Sequence, residues 1–241
     1  MRASKKFFLA TVISMLLTAP TTAVFAGEGA PSSTAPAASI TSAATSPTAP
    51  EFVQDTVDSV LRVLKANAKQ LKNCPKIEKQ LYETLAPKMC IQDIVTFVVG
   101  QPFLDKGTAE QNALLYKAYN TFFISSYGRV FQNFNDKIQV KVIQATRKTS
   151  GDYQQVNTII DTGNDQPGSR IPVAIIVKKM GDAKHSSWCI ADLVIDSVDQ
   201  LSTTRDQNRA LLSRLPAEAT PQTLAEEISK HNHAQCVNEL T

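Results

Sequence analysis

Apolar residues recur at helical spacing from Phe52 to Phe131 and at period two from Ile138 to Ile195, so the periodicity of the chain body changes once. That switch constrains the fold more than any other feature. A block of helices followed by a block of strands cannot build the alternating units of a parallel sheet; it implies an α+β domain with helices packed on an antiparallel sheet. Phe52, Val53, Val57, Val60, Leu61, Leu64 and Leu71 mark a first helix, with Asp55 and Asp58 early and Lys65, Lys69 and Lys72 late, an order that suits the helix dipole. A short helix follows Pro75, and a third runs from Pro87 to Gly100, with proline near its start and glycine at its end. After a loop over Gln101–Gly107, Thr108 caps the longest helix, which reaches Phe131 and is read as central.

Past Asp136, Ile138, Val140 and Val142 alternate with Gln139 and Lys141, and further strands are expected over Val156–Ile160, Ile171–Val177 and Trp188–Ile195. Ser150-Gly151-Asp152, Gly163-Asn164-Asp165 with Pro167-Gly168, and Gly181-Asp182 carry turn chemistry, which makes the four strands a meander. The third strand is apolar on both faces and should lie centrally. Two helices, Gln200–Leu215 and Pro221 to about His233, close the chain. The expected fold is therefore α+β: N-terminal helices and one long central helix on a curved, mainly antiparallel four-stranded sheet, with C-terminal helices.

Arg2, Lys5 and Lys6 precede an apolar run from Phe7 to Leu17, followed by Pro20 and the small-residue stretch ending at Ala26. This is the layout of a cleavable signal peptide over 1–26; a membrane-spanning helix needs about 20 apolar residues. No cysteine follows the run directly, so a lipid anchor is not expected. Three of the 25 basic residues and none of the 22 acidic ones lie in 1–26, so the exported part is neutral and nucleic-acid binding is not expected. No later segment is apolar enough for stable membrane insertion. Residues 27–50 are almost entirely Ala, Ser, Thr and Pro with one charge, a composition that cannot offset the entropy of ordering. They read as a linker, with a glycosylated or wall-spanning stalk as the functional variant. Residues 51–241 have the size of one domain with a single core.

Catalytic and metal signatures are sparse. His185 lies in a polar turn, and His231 and His233 are spaced so that they cannot face one ligand from a regular helix. No nucleophile elbow, phosphate-cradling glycine loop or His-Glu-x-x-His occurs. Asp192 and Asp196 lie four apart and would share a strand face, either as an acid–base pair or as a polar edge. No metal or other cofactor is expected. On the long helix, Leu115, Tyr119, Phe122, Phe123, Tyr127, Val130, Phe131 and Phe134 form an aromatic stripe interrupted by Ser125, Ser126 and Gly128. A stripe of this kind more often serves a core than a ligand site, and composition does not separate a packed core from a hollow one.

The series Gly100, Phe103, Glu110-Gln111, Leu115, Tyr119, Phe122-Phe123 and Tyr127, the segment Trp188-Cys-Ile-Ala-Asp192-Leu-Val194-Ile-Asp-Ser-Val198, and Arg205-Asp-Gln207 together resemble the MlaC family. These are periplasmic phospholipid-binding proteins of the maintenance-of-lipid-asymmetry system, also described as toluene-tolerance proteins. The resemblance spans about Glu51–Leu215. The chain departs from the family pattern at Phe103, usually Trp, at Pro87-Lys-Met-Cys90, and at Ser197-Val198-Asp199.

The resemblance implies a soluble periplasmic carrier, not an enzyme, that encloses the acyl chains of a glycerophospholipid in an apolar cavity. Its exchange partners would be an inner-membrane ABC transporter complex, to which it is an auxiliary component, and an outer-membrane lipoprotein–porin complex. A monomer is expected. Two 16-carbon chains exposed to water would cost tens of kcal/mol at roughly 0.8 kcal/mol per methylene, so a water-crossing carrier has to keep them dry. On this reading Leu115, Tyr119, Phe122 and Phe123 from the helix and Val140, Val142, Val173, Ile175, Trp188 and Ile190 from the sheet line the cavity. Two alternatives stand beside it: an enzyme of the ketosteroid-isomerase-like cone fold using Asp192 with Tyr119 or Tyr127, and a periplasmic adaptor that binds no lipid.

Four cysteines, Cys74, Cys90, Cys189 and Cys236, in an exported chain are expected to be paired. Of the three possible connectivities we expect Cys74 with Cys90, which brackets one short helix, and Cys189 with Cys236, which pins the C-terminal tail. The alternative for Cys189 is a buried small hydrophobe.

Overall fold

The computed structural model describes residues 46–68, 74–131, 137–148, 151–163, 169–181 and 187–237. Residues 1–26 and nearly all of 27–50 lie outside them, as do the side chains of Tyr127, Val130, Phe131, Phe134, Cys74, His185, His233 and Cys236. The first helix, α1, spans Ala49–Ala66 and starts earlier than its apolar pattern suggests. Thr48 and Glu51 form a reciprocal capping box: the Thr48 N–H donates to Glu51 Oε2 at 2.7 Å and the Glu51 N–H donates to Thr48 Oγ1 at 3.5 Å. The Thr48 N–H, and the Thr48 hydroxyl donating to the same oxygen at 2.8 Å, hold the Glu51 carboxyl below its usual range. Ala49, Val53, Val60 and Leu64 form the buried stripe of α1.

Helix α2 spans Cys74–Leu85, a 3-10 turn covers Ala86–Lys88, and α3 spans Ile91–Val99. Gly100 ends α3 at φ 84°, a value that favours glycine. The segment read as a loop contains a short helix, α4, Gln101–Leu104. Helix α5, Ala109–Phe131, begins where Thr108 predicts: the Gln111 N–H donates to Thr108 Oγ1 at 3.3 Å.

The sheet has five antiparallel strands in the order β1-β2-β3-β4-β5: Gln139–Lys148, Tyr153–Asp161, Arg170–Met180, Ser187–Ile195 and Val198–Asp199. The four expected strands are present as a meander, with β3 central. The fifth is a two-residue strand reached through Asp196 and Ser197, whose φ values of 49° and 67° are those of a type I′ hairpin turn. Sequence reading missed it because the preferred glycine is absent. Asp199 then caps α6, Gln200–Leu212, by accepting from the Ser202 N–H at 2.6 Å. The last helix, α7, spans Pro221–Val237.

Among the described residues, helix α5 makes its main contacts away from the sheet, where a place on the sheet was expected. It packs chiefly against α7, α2 and α3, whereas α1 contacts β1 and β2. The start of α7 approaches the start of α5 so closely that a Cβ on Gly107 would come within 2.6 Å of Pro221 Cγ. Leu115, Ala118, Tyr119 and Phe123 of α5 are buried with Ile94, Val95, Val98, Leu224, Ala225 and Ile228.

The helical layer is joined to the sheet by a disulfide between Cys90 and Cys189, 99 residues apart. Cys90 therefore pairs with neither Cys74 nor a thiol of its own helical segment, and Cys189 is not a free buried thiol. The expected pairing is corrected, because the junction before α3 docks on β4: the Cys90 N–H donates to the Ile190 carbonyl at 2.8 Å. An ion pair between Lys178 and Asp93 at 2.7 Å adds a second tie on the same face.

Candidate functional site

The strand register decides which side chains can act together. In an antiparallel pair, directly opposed residues share a face. Val142 opposes Thr158, and Thr158 opposes Val173; Val140 opposes Ile160, which opposes Ile171. Ile175 opposes Val156, and Val177 opposes Ile190 across the β3–β4 pair. Trp188, two residues before Ile190, lies on that face too. All six strand residues expected to line a cavity, Val140, Val142, Val173, Ile175, Trp188 and Ile190, thus stand on one face of the sheet. Cys189 and Ala191 point the other way, into a cluster with Cys90, Tyr153 and Ile176.

The first face is covered by α1. Ala49 and Val53 are buried with Val156, Val177 and Trp188, and Phe52, Val57, Val142 and Ile175 pack at the edge, half-buried. Trp188 closes one end, its Nε1–H donating to the Pro47 carbonyl at 2.7 Å. Sequence reading missed the part α1 plays here; the signal available was the apolar stripe Phe52, Val53, Val57, which needs a partner surface.

The four helix residues lie elsewhere. Leu115, Tyr119 and Phe123 belong to the core between α3, α5 and α7, with Phe122 packed against it. The Tyr119 ring stacks on Phe123 with centroids 6.0 Å apart. Its hydroxyl donates to Asn208 Oδ1 of α6, and burial pushes the phenol above its usual value. The described residues do not bring these four side chains onto the sheet face.

The described helices also enclose an open groove of about 790 Å3 between α2, α5 and α7, with Tyr82, Leu114, Ala118, Ile124, Ser125 and Ala225 among its walls. Charged side chains of both signs, including Lys79, Lys117, Glu83 and Glu226, stand around it. None was singled out from sequence, although the small residue Ser125 interrupting the aromatic stripe was a visible sign.

Asp192 is the most perturbed acid. Burial first, and the neighbouring Asp199 carboxylate second, push it up to about 6. Its Oδ1 accepts from the Leu193 and Leu201 N–H groups at 2.7 and 3.1 Å, which ties β4 to the start of α6. The pairing of Asp192 with Asp196 does not form: β4 ends at Ile195, and Asp196 sits in the turn. Tyr119 is engaged with Asn208, so the Asp192–Tyr119 pair of the enzyme alternative is not assembled. Among the described residues no three His, Cys, Asp or Glu side chains group as a metal site, and no helix is long and apolar enough to cross a membrane.

An antiparallel meander with an apolar face under a helix, backed by a helical layer, defines an α+β protein. The MlaC protein family matches residues 54–227, and the chain belongs to that family. Its fold is similar to that of a phospholipid-binding protein from Ralstonia solanacearum solved in complex with a phospholipid. The two share 16% sequence identity with a TM-score of 0.63, and the match covers 78% of this chain and 99% of that one. A comparison with curated proteins finds no match.

Proposed function

We propose that this protein is a phospholipid carrier of the periplasm, exported by the signal segment 1–26. Family membership over 54–227 carries this reading. The fold shared with a protein solved with phospholipid, and the apolar face bearing Val140, Val142, Val173, Ile175, Trp188 and Ile190, agree with it. Acyl chains would lie on that face, while Leu115, Tyr119, Phe122 and Phe123 serve the core of the helical layer. Phe52, Val53 and Val57 of α1 occupy part of the face, so loading requires α1 to give ground.

Lipid would be exchanged, as a monomer, with an inner-membrane ABC transporter complex and an outer-membrane lipoprotein–porin complex. The headgroup would stay in water and be read little, because a general carrier recognises the chains. Extraction of the purified protein with organic solvent, followed by mass spectrometry, should release phospholipid with the headgroup composition of the host membrane. Absence of lipid would favour the adaptor or enzyme alternatives, and strong enrichment of one headgroup would refute the unselective mouth.

A further inference from the structure

Several cations of this protein meet an acid: Lys178 pairs with Asp93, Arg170 with Asp161 and Lys230 with Glu227. Lys88 is different. It ends the 3-10 turn between α2 and α3, is half-buried, and forms no ion pair among the described residues. A surface lysine extends its ammonium into water. This one turns inward: Nζ donates to Thr56 Oγ1 at 3.2 Å, on a residue only 5% exposed. It also stands over the Phe52 ring, 6.0 Å from the centroid. Burial pushes the ammonium below its usual value; the Asp55 carboxylate works against that shift and the Arg62 guanidinium adds to it.

Position gives this cation a meaning. Phe52 packs at the edge of the cluster that Ala49 and Val53 of α1 form with Val156, Val177 and Trp188. Lys88 lies against that ring, so a positive charge stands at the rim of the apolar face on which acyl chains are proposed to lie. The backbone behind it is fixed to β4, because Met89 bridges to Ile190 and the Cys90 N–H donates to the Ile190 carbonyl. An ammonium has three N–H donors. Thr56 takes one, which leaves two for an anion among the described residues.

We propose that Lys88 anchors the phosphate of the carried lipid: the acyl chains lie on the sheet face and the phosphodiester anion meets the ammonium at its rim. This assignment rests on the carrier reading and adds a selection rule to it. Phosphate is common to all glycerophospholipids, so the site separates phospholipid from diacylglycerol without reading what the phosphate bears. A charge-assisted bond to phosphate relieves a cation that burial disfavours. Asp55 and Arg62, both exposed and of opposite sign, leave the rim open to an anion.

The test incubates the delipidated full chain with vesicles mixing phosphatidylglycerol, phosphatidylethanolamine and diacylglycerol of the same acyl chains, and counts the lipid on the re-isolated protein by mass spectrometry. The wild-type chain should favour phospholipid over diacylglycerol by about tenfold or more, the worth of one hydrogen bond to a charged group. Lys88→Met keeps the aliphatic stem, and Thr56 keeps its bond to the Phe52 carbonyl at 2.8 Å, so no buried group is left unpaired. That variant should lose the preference and still load diacylglycerol, whereas Lys88→Arg, which retains the charge, should keep it. An unchanged preference in Lys88→Met, loss of both lipids together, or a preference lost equally in Lys88→Arg would overturn the anchor and leave the carrier reading standing. Inorganic phosphate titrated alone into the delipidated chain should give no heat of binding; binding that Lys88→Met removes would make this a site for a free anion and overturn the lipid assignment. If the wild-type chain loads neither lipid, the carrier reading fails and the anchor fails with it.

Discussion

The helical layer and the covered sheet face are both apolar, yet they are filled differently. Around α5, Leu115, Tyr119 and Leu224 are fully buried, the Tyr119 and Phe123 rings stack, and the Tyr119 hydroxyl has its partner in Asn208. On the sheet, Val156 and Val177 are fully buried, but Val142 and Ile175, and Phe52 and Val57 above them, remain half-buried. Leu115, Tyr119 and Phe123 complete a core, and on the aliphatic strands Val142 and Ile175 keep part of their surface open.

The disulfide joins the two regions, and its removal should have the largest effect. Replacing Cys90 and Cys189 by serine opens a loop of 99 residues, for which loss of chain constraint corresponds to roughly 4–5 kcal/mol. Denaturant unfolding would read the loss. Nonreducing peptide mapping should return Cys90 joined to Cys189; a Cys74–Cys90 or Cys189–Cys236 peptide would contradict the structure.

Next come substitutions that treat the regions as core and as binding surface. Leu224→Ala should lower stability by about 2–5 kcal/mol, as for other buried leucines, while leaving lipid carriage in place. Ile175→Asp should abolish co-purifying lipid, because an unpaired ion in an apolar site is costly. If Leu224→Ala strips lipid and folded Ile175→Asp keeps it, the two regions have been assigned the wrong way round. A smaller effect is expected for Tyr119→Phe, which leaves Asn208 Oδ1 buried without its donor and should cost about 1–3 kcal/mol with no change in bound lipid.

The smallest effect is at Asp192. An acid raised to about 6 holds its proton more tightly in the folded chain than in the unfolded one, so its ionised form opposes folding. That opposition is complete above about pH 6 and fades as the pH falls through the folded value toward the unfolded one, near 4. Asp192→Asn should therefore stabilise the protein at neutral pH, by about 1 kcal/mol after solvent screening of this partly exposed group. It should also flatten the dependence of the melting temperature between pH 4 and 6. A steeper dependence in the variant would count against the assignment.

Local chemistry was legible in the sequence. The alternation in β1, β3 and β4 placed six side chains on a common face, and Thr108 and Gly100 marked helix ends where the structure has them. What sequence periodicity does not carry is the identity of the partner surface. The stripe on α5 says that one face is buried, not that α7 rather than the sheet buries it. The same holds for Cys90, whose partner depends on how the junction before α3 docks on β4, a contact between elements far apart in the chain. Asp192 and Asp196 do not share a strand face as their spacing suggests, because β4 stops at Ile195 and turns back through Asp196 and Ser197, so counting by twos fails there.

Trp188 is the one tryptophan of the chain, and its indole is held against the Pro47 carbonyl at the start of α1, on the face where acyl chains are proposed to lie. Indole emission moves with the polarity around the ring. The protein therefore contains its own dye, placed where seating of α1 and arrival of lipid would both be felt, and loading can be followed in real time as a change of colour without attaching any label.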